Sequence, residues 1–191
     1  QEAFFRAGTM FFNQKGFKGT SLDEIASSLD VTKGAFYYHI KNKEELLYQC
    51  FNRTLDVEGL LLSKAGLVQA TGLKKIELSL RYLLNVQFSE EGPLIRYRAL
   101  PSLDEEHRKD ILKATKKNNK ILGTYIAEGF DDGTLRKIDV DIAQNVLSGA
   151  VEASPDLAEW MADSEITSSG PELSATYFHL FINGLGRRSN N

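Results

Sequence analysis

Hydrophobic residues recur along most of this chain at intervals of three and four, which places them on one side of an α-helix. Nearly every segment between the four prolines has this spacing rather than the alternation typical of strands. The pattern therefore predicts an all-α fold.

Local signals mark the ends of the first four helices. A phenylalanine-rich first helix is expected to stop at Gly16, because glycine tolerates the left-handed backbone that ends a helix. Thr20 or Ser21 is the expected N-cap of the second helix, and Thr32 that of the third. Asn42 caps a fourth helix whose length suits a connector between two bodies.

The remaining chain contains five further candidate helices. The fourth helix also shows a capping-box pattern, in which the acid Glu45 reaches back to the start of the helix. The later segments are expected at about 73–90, 94–100, 103–130, 139–163 and 171–187.

The segment TSLDEIASSLDVTKGAFYYHI has the spacing of two short helices that cross at a tight turn. Ala26 is small where the helices approach most closely. Asp30 lies at the turn, where a left-handed backbone is needed and where Asp is one of the few residues that tolerate it. These positions predict a helix-turn-helix.

The run GFKGTSLDEIASSLDVTKGAFYYHIKNKEELL resembles the DNA-binding domain of the TetR family, and the match extends over residues 4–51. In that family the third helix enters the major groove. Lys33 then supplies a charge, Gly34 permits close approach, and the Tyr and His side chains reach phosphates or base edges. The operator contacts that this resemblance implies are Thr20, Ser21, Thr32, Lys33, Gly34, Tyr37, Tyr38, His39 and Lys43.

This interpretation has an alternative for two of the residues, and it must account for the charge balance of residues 1–50. The alternative for Tyr37 and His39 is partial burial against the first helix, since both residue types often have intermediate exposure. Residues 1–50 also contain equal numbers of acids and bases, so counterion release is expected from a clustered basic face and from a basic arm upstream of Gln1.

Beyond about residue 55 the resemblance is only one of architecture. Broad apolar faces around Leu84 and Leu122 are expected to enclose a core or a ligand cavity. Polar residues at similar angular positions either line that cavity or lie at the surface. The candidate ligand contacts are Leu84, Phe88, Arg96, Tyr97, Asn118, Leu122 and Tyr125.

The last two helices carry more apolar surface than one small core requires. Either they form an internal core, or they pair with their twofold mates, as the final two helices of TetR-like proteins do. The residues predicted for this dimer interface are Val146, Leu147, Ala150, Tyr177, Phe178, Phe181, Ile182 and Leu185.

Composition narrows the function classes. The chain has 191 residues and a formal net charge of −3, with no membrane-length apolar run and no signal peptide, so a cytoplasmic location is expected. Cys50 is expected to be a buried thiol, and His107 and His179 lack metal-ligand partners at sequence spacing. No nucleophile elbow, cofactor motif or metal motif indicates an enzyme.

These observations predict a homodimeric transcription regulator. Residues 1–50 form the helix-turn-helix domain and residues 51–191 form an effector-binding and dimerisation domain. The effector is expected to be small and apolar or aromatic, and to release a repressor from its operator. The alternatives are a DNA-binding regulator without an effector, and a helical ligand-binding protein without a DNA function.

Overall fold

A computed structural model describes residues 1–89, 92–162, 175–176 and 178–180. Within these ranges the chain is helical and contains no strand, which confirms the predicted all-α class. None of the helices in these ranges has the length and hydropathy needed to cross a bilayer. The elements are α1 (Glu2–Gly19), α2 (Leu22–Ser28), α3 (Lys33–His39), α4 (Lys43–Gly66), α5 (Gly72–Gln87), a 3₁₀ helix (Tyr97–Ser102), α6 (Glu105–Asp131) and α7 (Val140–Ala162).

The predicted breaks between the first helices are confirmed. Gly16 interrupts α1 with φ +70°, and Asp30 has φ +53° between α2 and α3. The Ser21 hydroxyl accepts a hydrogen bond from the Asp23 N–H, and the Thr32 hydroxyl accepts one from the Ala35 N–H. The chain therefore turns where its local signals indicate.

The start of α4 is capped from both directions. The Asn42 side chain accepts from the Glu45 N–H at 2.8 Å, and the Glu45 carboxylate accepts from the Lys41 N–H at 3.1 Å. The acid thus bonds one residue earlier than the capping-box pattern implies. Four otherwise unbonded N–H groups begin every helix, and this pair of contacts stabilises the junction that follows α3.

The chain divides into two compact units. Unit 1 comprises Gln1–Leu62 and Glu90–Ile121, and unit 2 comprises Ser63–Ser89 and Leu122–Asn191. Unit 1 thus contains a segment well beyond residue 50. The division into functional domains 1–50 and 51–191 stays a prediction.

The core of unit 1 is built on α1 to α4 and on residues from the second segment. Phe12, Ile25, Phe36 and Phe51 have at most 1% of their surface exposed. They share one apolar cluster with Ile95, Ala99, Leu103 and Ile111. The Cys50 thiol is buried in the same cluster, as predicted, and burial raises its pKa to about 12.

The chain around residue 95 forms no α-helix, although a helix was expected over 94–100. The Asn13 amide donates to the Leu94 carbonyl at 2.9 Å, and its oxygen accepts from the Arg96 N–H at 3.1 Å. The Ile95 N–H donates to the Thr54 hydroxyl at 2.9 Å. Because α1 and α4 take these backbone groups, the segment stays extended until the 3₁₀ helix.

In unit 2, α5 packs against α7. Ile76, Leu80 and Leu84 form the buried side of α5, and Leu147 and Val151 lie buried on α7. Gly72 begins α5 where a Cβ atom would come within 2.1 Å of the Gly129 nitrogen. That position needs glycine for a close approach of two backbones.

Candidate nucleic-acid interface

The third helix presents most of its side chains to solvent. Phe36 is its only buried residue, with 0% exposure, and it anchors α3 on the core of unit 1. Thr32, Lys33, Gly34, Tyr37, Tyr38 and His39 are all exposed. The remaining sides of this two-turn helix are therefore exposed to solvent.

The aromatic residues of α3 differ in how firmly they are held. Tyr38 is 85% exposed, whereas Tyr37 is 45% exposed. The His39 ring is exposed but lies 5.8 Å from the Phe4 ring and 5.0 Å from the Tyr38 ring, measured between centroids. Neither Tyr37 nor His39 is buried against α1.

Two other predicted contacts on α3 need little rearrangement. A Cβ atom at Gly34 would have nothing within 4 Å, so this position is open. The Thr32 hydroxyl caps α3 and remains exposed beside Lys33.

An acidic residue of α2 holds two side chains of α3. The Asp23 carboxylate accepts from the Lys33 ammonium at 2.7 Å and from the Tyr37 hydroxyl at 3.3 Å. The hydrogen bond from Lys33 lowers the pKa of Asp23, and the same bond raises the pKa of Lys33. Both groups therefore stay charged at neutral pH.

Sequence spacing alone does not place Asp23 beside Lys33 and Tyr37, which follow it by 10 and 14 residues. The available signal was the geometry of the predicted turn. A first-turn acid on α2 faces the first turns of α3 when the two helices cross.

The contacts predicted at the flanks of α3 are less available. Thr20 is buried and its hydroxyl donates to the Gly16 carbonyl at 2.7 Å, while Ser21 is exposed. Lys43 is half-buried, donates to the Thr20 carbonyl at 3.0 Å and lies 4.6 Å from the Phe17 ring centroid. Among these three, Ser21 is the side chain presented to solvent.

The candidate ligand contacts fall in both units. Unit 2 contains Leu84, Leu122 and Tyr125, which are buried, and Phe88, which is half-buried. Unit 1 contains the buried Arg96 and Asn118 and the half-buried Tyr97.

Asn118 and Tyr97, two of the unit 1 candidates, already have polar partners. The Asn118 amide donates to the Leu55 carbonyl at 2.9 Å. The Tyr97 hydroxyl lies 2.8 Å from the Thr115 hydroxyl. These bonds hold the side chains in place.

His107 has acidic partners, contrary to the sequence analysis. Its Nδ1 lies 2.9 Å from Glu44 Oε1 and 3.3 Å from Asp104 Oδ2, and the Tyr48 ring stacks on it at 4.1 Å. Glu44 precedes His107 by 63 residues, so sequence spacing does not reveal the contact. The largest cause of the raised pKa of His107 is the hydrogen bond to Glu44.

The side chains of Glu44, Asp104 and His107 have potential metal-ligand atoms within 4.8 Å of one another. However, the cluster lies at the N-termini of α4 and α6, whose dipoles disfavour a cation. Its carboxylates also cap backbone groups, since Asp104 accepts from the His107 N–H and Glu44 accepts from the Asp104 N–H. We assign the cluster to the attachment of α6 to α4.

The predicted dimer-interface residues are divided between surface and core. Val146 is 52% exposed and Leu147 is 5% exposed, with Ala150 and Phe178 half-buried. Leu147 packs inside its own protomer. Another large apolar residue exposed on the same side of α7 as Val146 is Ile142, one turn earlier and 64% exposed. Tyr177, Phe181, Ile182 and Leu185 lie outside the described residues.

Comparison with known proteins matches both the helix-turn-helix and the chain as a whole. Residues 4–50 match the family described as bacterial regulatory proteins, tetR family. The Transposon Tn10 TetC protein of Escherichia coli is 30% identical over 156 residues, which cover 78% of this chain and 74% of that protein. The chain belongs to the TetR family.

This chain is also similar to a second curated relative and, in fold alone, to a solved structure. The negative transcriptional regulator IcaR of the icaADBC biofilm operon in Staphylococcus aureus is 26% identical, with 71% of this chain and 72% of IcaR covered. The structure of AibR in complex with isovaleryl coenzyme A and operator DNA has a TM-score of 0.76 at 20% identity, with 94% of this chain and 97% of AibR covered.

Family membership gives the general function of this TetR-family protein. It is a DNA-binding transcriptional regulator and not an enzyme. The fold is the family's N-terminal helix-turn-helix followed by a helical C-terminal part.

Proposed function

We propose that this TetR-family regulator is a cytoplasmic homodimeric repressor that binds operator DNA through α3 and is released by a small apolar or aromatic effector. The observation that carries the proposal is the exposure of α3 around its single buried residue, Phe36. Two copies of α3 must reach major grooves about 34 to 36 Å apart, which requires a dimer.

Within the interface, we assign different tasks to the exposed residues. Tyr38 and His39 contact phosphates or base edges, Thr32 and Ser21 contact the backbone, and the open position of Gly34 allows close approach. Lys33 and Tyr37 also contact the DNA, from positions in which both are hydrogen-bonded to Asp23. Thr20 and Lys43 support the interface through their hydrogen bonds to the backbone.

The sign of regulation and the effector rest on relatives and on burial. IcaR is described as a negative regulator, which favours repression here as well. The AibR structure contains both an acyl thioester and operator DNA on the same fold. We retain Leu84, Phe88, Leu122 and Tyr125 as the apolar effector contacts of unit 2, and Arg96, Tyr97 and Asn118 as candidates in unit 1.

Effector and operator must weaken each other reciprocally if this proposal is correct. Isovaleryl coenzyme A and a panel of aromatic acids are suitable probes for release of the protein from bound DNA. A compound that raises the melting temperature and also lowers DNA affinity supports the effector model. If no probe does so, the regulator without an effector is favoured.

The DNA-binding assignment is tested on duplexes selected by the wild-type protein from a random-sequence pool. Lys33→Ala and Tyr38→Ala are expected to weaken binding to the selected duplex by about tenfold or more, since a good contact at the interface is worth roughly 1–3 kcal/mol. Lys109→Ala is the matched control, because Lys109 is an exposed, ion-paired lysine on α6. Retained affinity in both α3 variants contradicts the site assignment.

A further inference from the structure

An acid on a DNA-binding surface normally opposes binding, because it repels the phosphate backbone. Asp23 is such an acid, with 44% of its side chain exposed beside α3. Its two oxygens accept from Lys33 and Tyr37, both of which are proposed DNA contacts. This arrangement requires an explanation beyond helix capping, which Ser21 already provides for α2.

The contact restrains Lys33, the one lysine of α3, which contains no arginine. Lys33 is 68% exposed, yet its ammonium lies 2.7 Å from Asp23. A phosphate must therefore compete with a carboxylate for this ammonium. In a complex with arbitrary DNA nearly all of the affinity comes from such phosphate contacts, so the competition lowers that affinity directly.

On the operator the same restraint has a second effect. Base contacts by other side chains of α3 fix the helix in one register. Lys33 and Tyr37 are then already positioned, and less side-chain entropy is lost when they make their contacts. The restraint thus lowers affinity for arbitrary DNA more than affinity for the operator.

We propose that Asp23 is a specificity-determining residue, whose carboxylate withholds Lys33 and Tyr37 from arbitrary phosphates and presents them in the register that the operator requires. The inference rests on the proposed DNA contacts of α3. In this view, the negative charge of Asp23 weakens DNA binding in general and thereby improves discrimination between DNA sequences.

The test compares the affinity for the selected duplex with that for a scrambled duplex, in wild type and Asp23→Asn, across a salt series. The variant keeps the side-chain shape and removes the charge. We expect its affinity for the scrambled duplex to rise about threefold or more near 0.1 M salt, and its salt dependence to steepen by up to about 0.9 for each newly contacted phosphate. The ratio of the two affinities falls.

Glu24→Gln is the matched control. Glu24 is the next residue of α2, and its partner is Lys15 of α1 at 3.2 Å rather than a residue of α3. The two variants change the net charge equally. A fall in the affinity ratio that is confined to Asp23→Asn supports the proposal, and an equal fall in both variants overturns it as a general charge effect.

A second measurement asks whether Asp23 acts through Lys33. In a Lys33→Gln background, Asp23→Asn is expected to change scrambled-duplex affinity much less than in wild type, and additive effects contradict this route. Melting temperatures of all variants establish that they are folded. If the wild-type protein selects no sequence, the proposed DNA function fails; if it selects one and Asp23→Asn keeps its affinity ratio, only the role of Asp23 fails.

Discussion

Individual residues set the geometry of the helix-turn-helix. Phe36 is the buried residue of α3, and Asp30 adopts the left-handed backbone at the turn that lets α3 cross α2. Such a conformation costs a residue with a Cβ atom roughly 1–2 kcal/mol, which Asp and Asn reduce through local hydrogen bonds. The turn of this protein therefore contains a position where the side chain opposes the backbone.

Substitutions at Asp30 should reveal that conflict. Asp30→Gly is expected to keep or raise the free energy of unfolding, by up to about 1 kcal/mol, and Asp30→Ala to lower it by about 1 kcal/mol. Urea unfolding of the three proteins measures the order. Equal stability of the Gly and Ala variants contradicts the assigned backbone strain.

At the scale of helices, the sequence predicts the features that local signals determine. It does not predict the features that depend on contacts between distant residues. The caps Ser21, Thr32 and Asn42 lie beside the helices they begin, so the sequence predicts them. The extended chain near Ile95 depends on Asn13 and Thr54, which are distant in sequence. The pairing of Asp23 with Lys33 was missed for the same reason, since it requires the crossing angle of two helices.

Close backbone approach at the start of α5 gives a prediction about stability. In Gly72→Ala the new Cβ meets the backbone of Gly129 and Tyr125, at 2.1 Å and 2.3 Å, and backbone cannot move aside easily. We expect a loss of about 3 kcal/mol or more in the free energy of unfolding. Gly19→Ala is the control, because its Cβ meets only Lys15 at 3.4 Å, and a change within about 0.5 kcal/mol is expected.

The attachment of α6 to α4 predicts a pH dependence. His107 faces the carboxylates of Glu44, Asp104 and Glu106 and the uncharged ring of Tyr48, and its pKa is raised in the folded state. Its stabilising contribution is therefore complete below the unfolded-state pKa of about 6.5 and is lost as pH rises through the folded-state pKa.

We expect wild type to exceed His107→Gln in stability by more at pH 5.5 than at pH 8.5. Glu44→Gln, which removes the largest cause, should flatten the pH dependence. The pKa of Asp104 is lowered, so its own contribution is lost only at more acidic pH, below this range. Parallel stability profiles of wild type and His107→Gln are the contrary result.

At the scale of the whole molecule, the outer side of α7 bears on whether two protomers form a dimer. The exposed apolar residues Ile142 and Val146 follow one side of α7, and a Cβ at Gly149 on that helix would have nothing within 4 Å inside the protomer. Sequence periodicity predicted an apolar helix here but did not separate its two sides, so Leu147 entered the predicted interface although it packs internally. The outer side of α7 is the surface we propose for the twofold partner.

A charge on that side of α7 should separate the protomers. Val146→Glu is expected to sediment near the protomer mass of 21.4 kDa, while wild type sediments as a dimer. Its affinity for the selected duplex should fall by roughly a hundredfold, because two linked contacts become one. Leu60→Glu is the control, since Leu60 is 69% exposed on α4 and lies outside the proposed interface. A dimeric Val146→Glu protein contradicts the assignment.

The split composition of unit 1 has a consequence for synthesis in the cell. The N-terminal segment of unit 1, which ends at Leu62, shares its apolar cluster with residues from Ile95 to Ile111. The core beneath the helix-turn-helix is therefore complete only after these later residues have been synthesised. At the usual pace of translation, 5–20 residues per second, the ribosome needs roughly 3 to 12 s to advance from residue 62 to residue 121. During that interval the cluster that buries Phe36 of α3 lacks the apolar residues from Ile95 to Ile111.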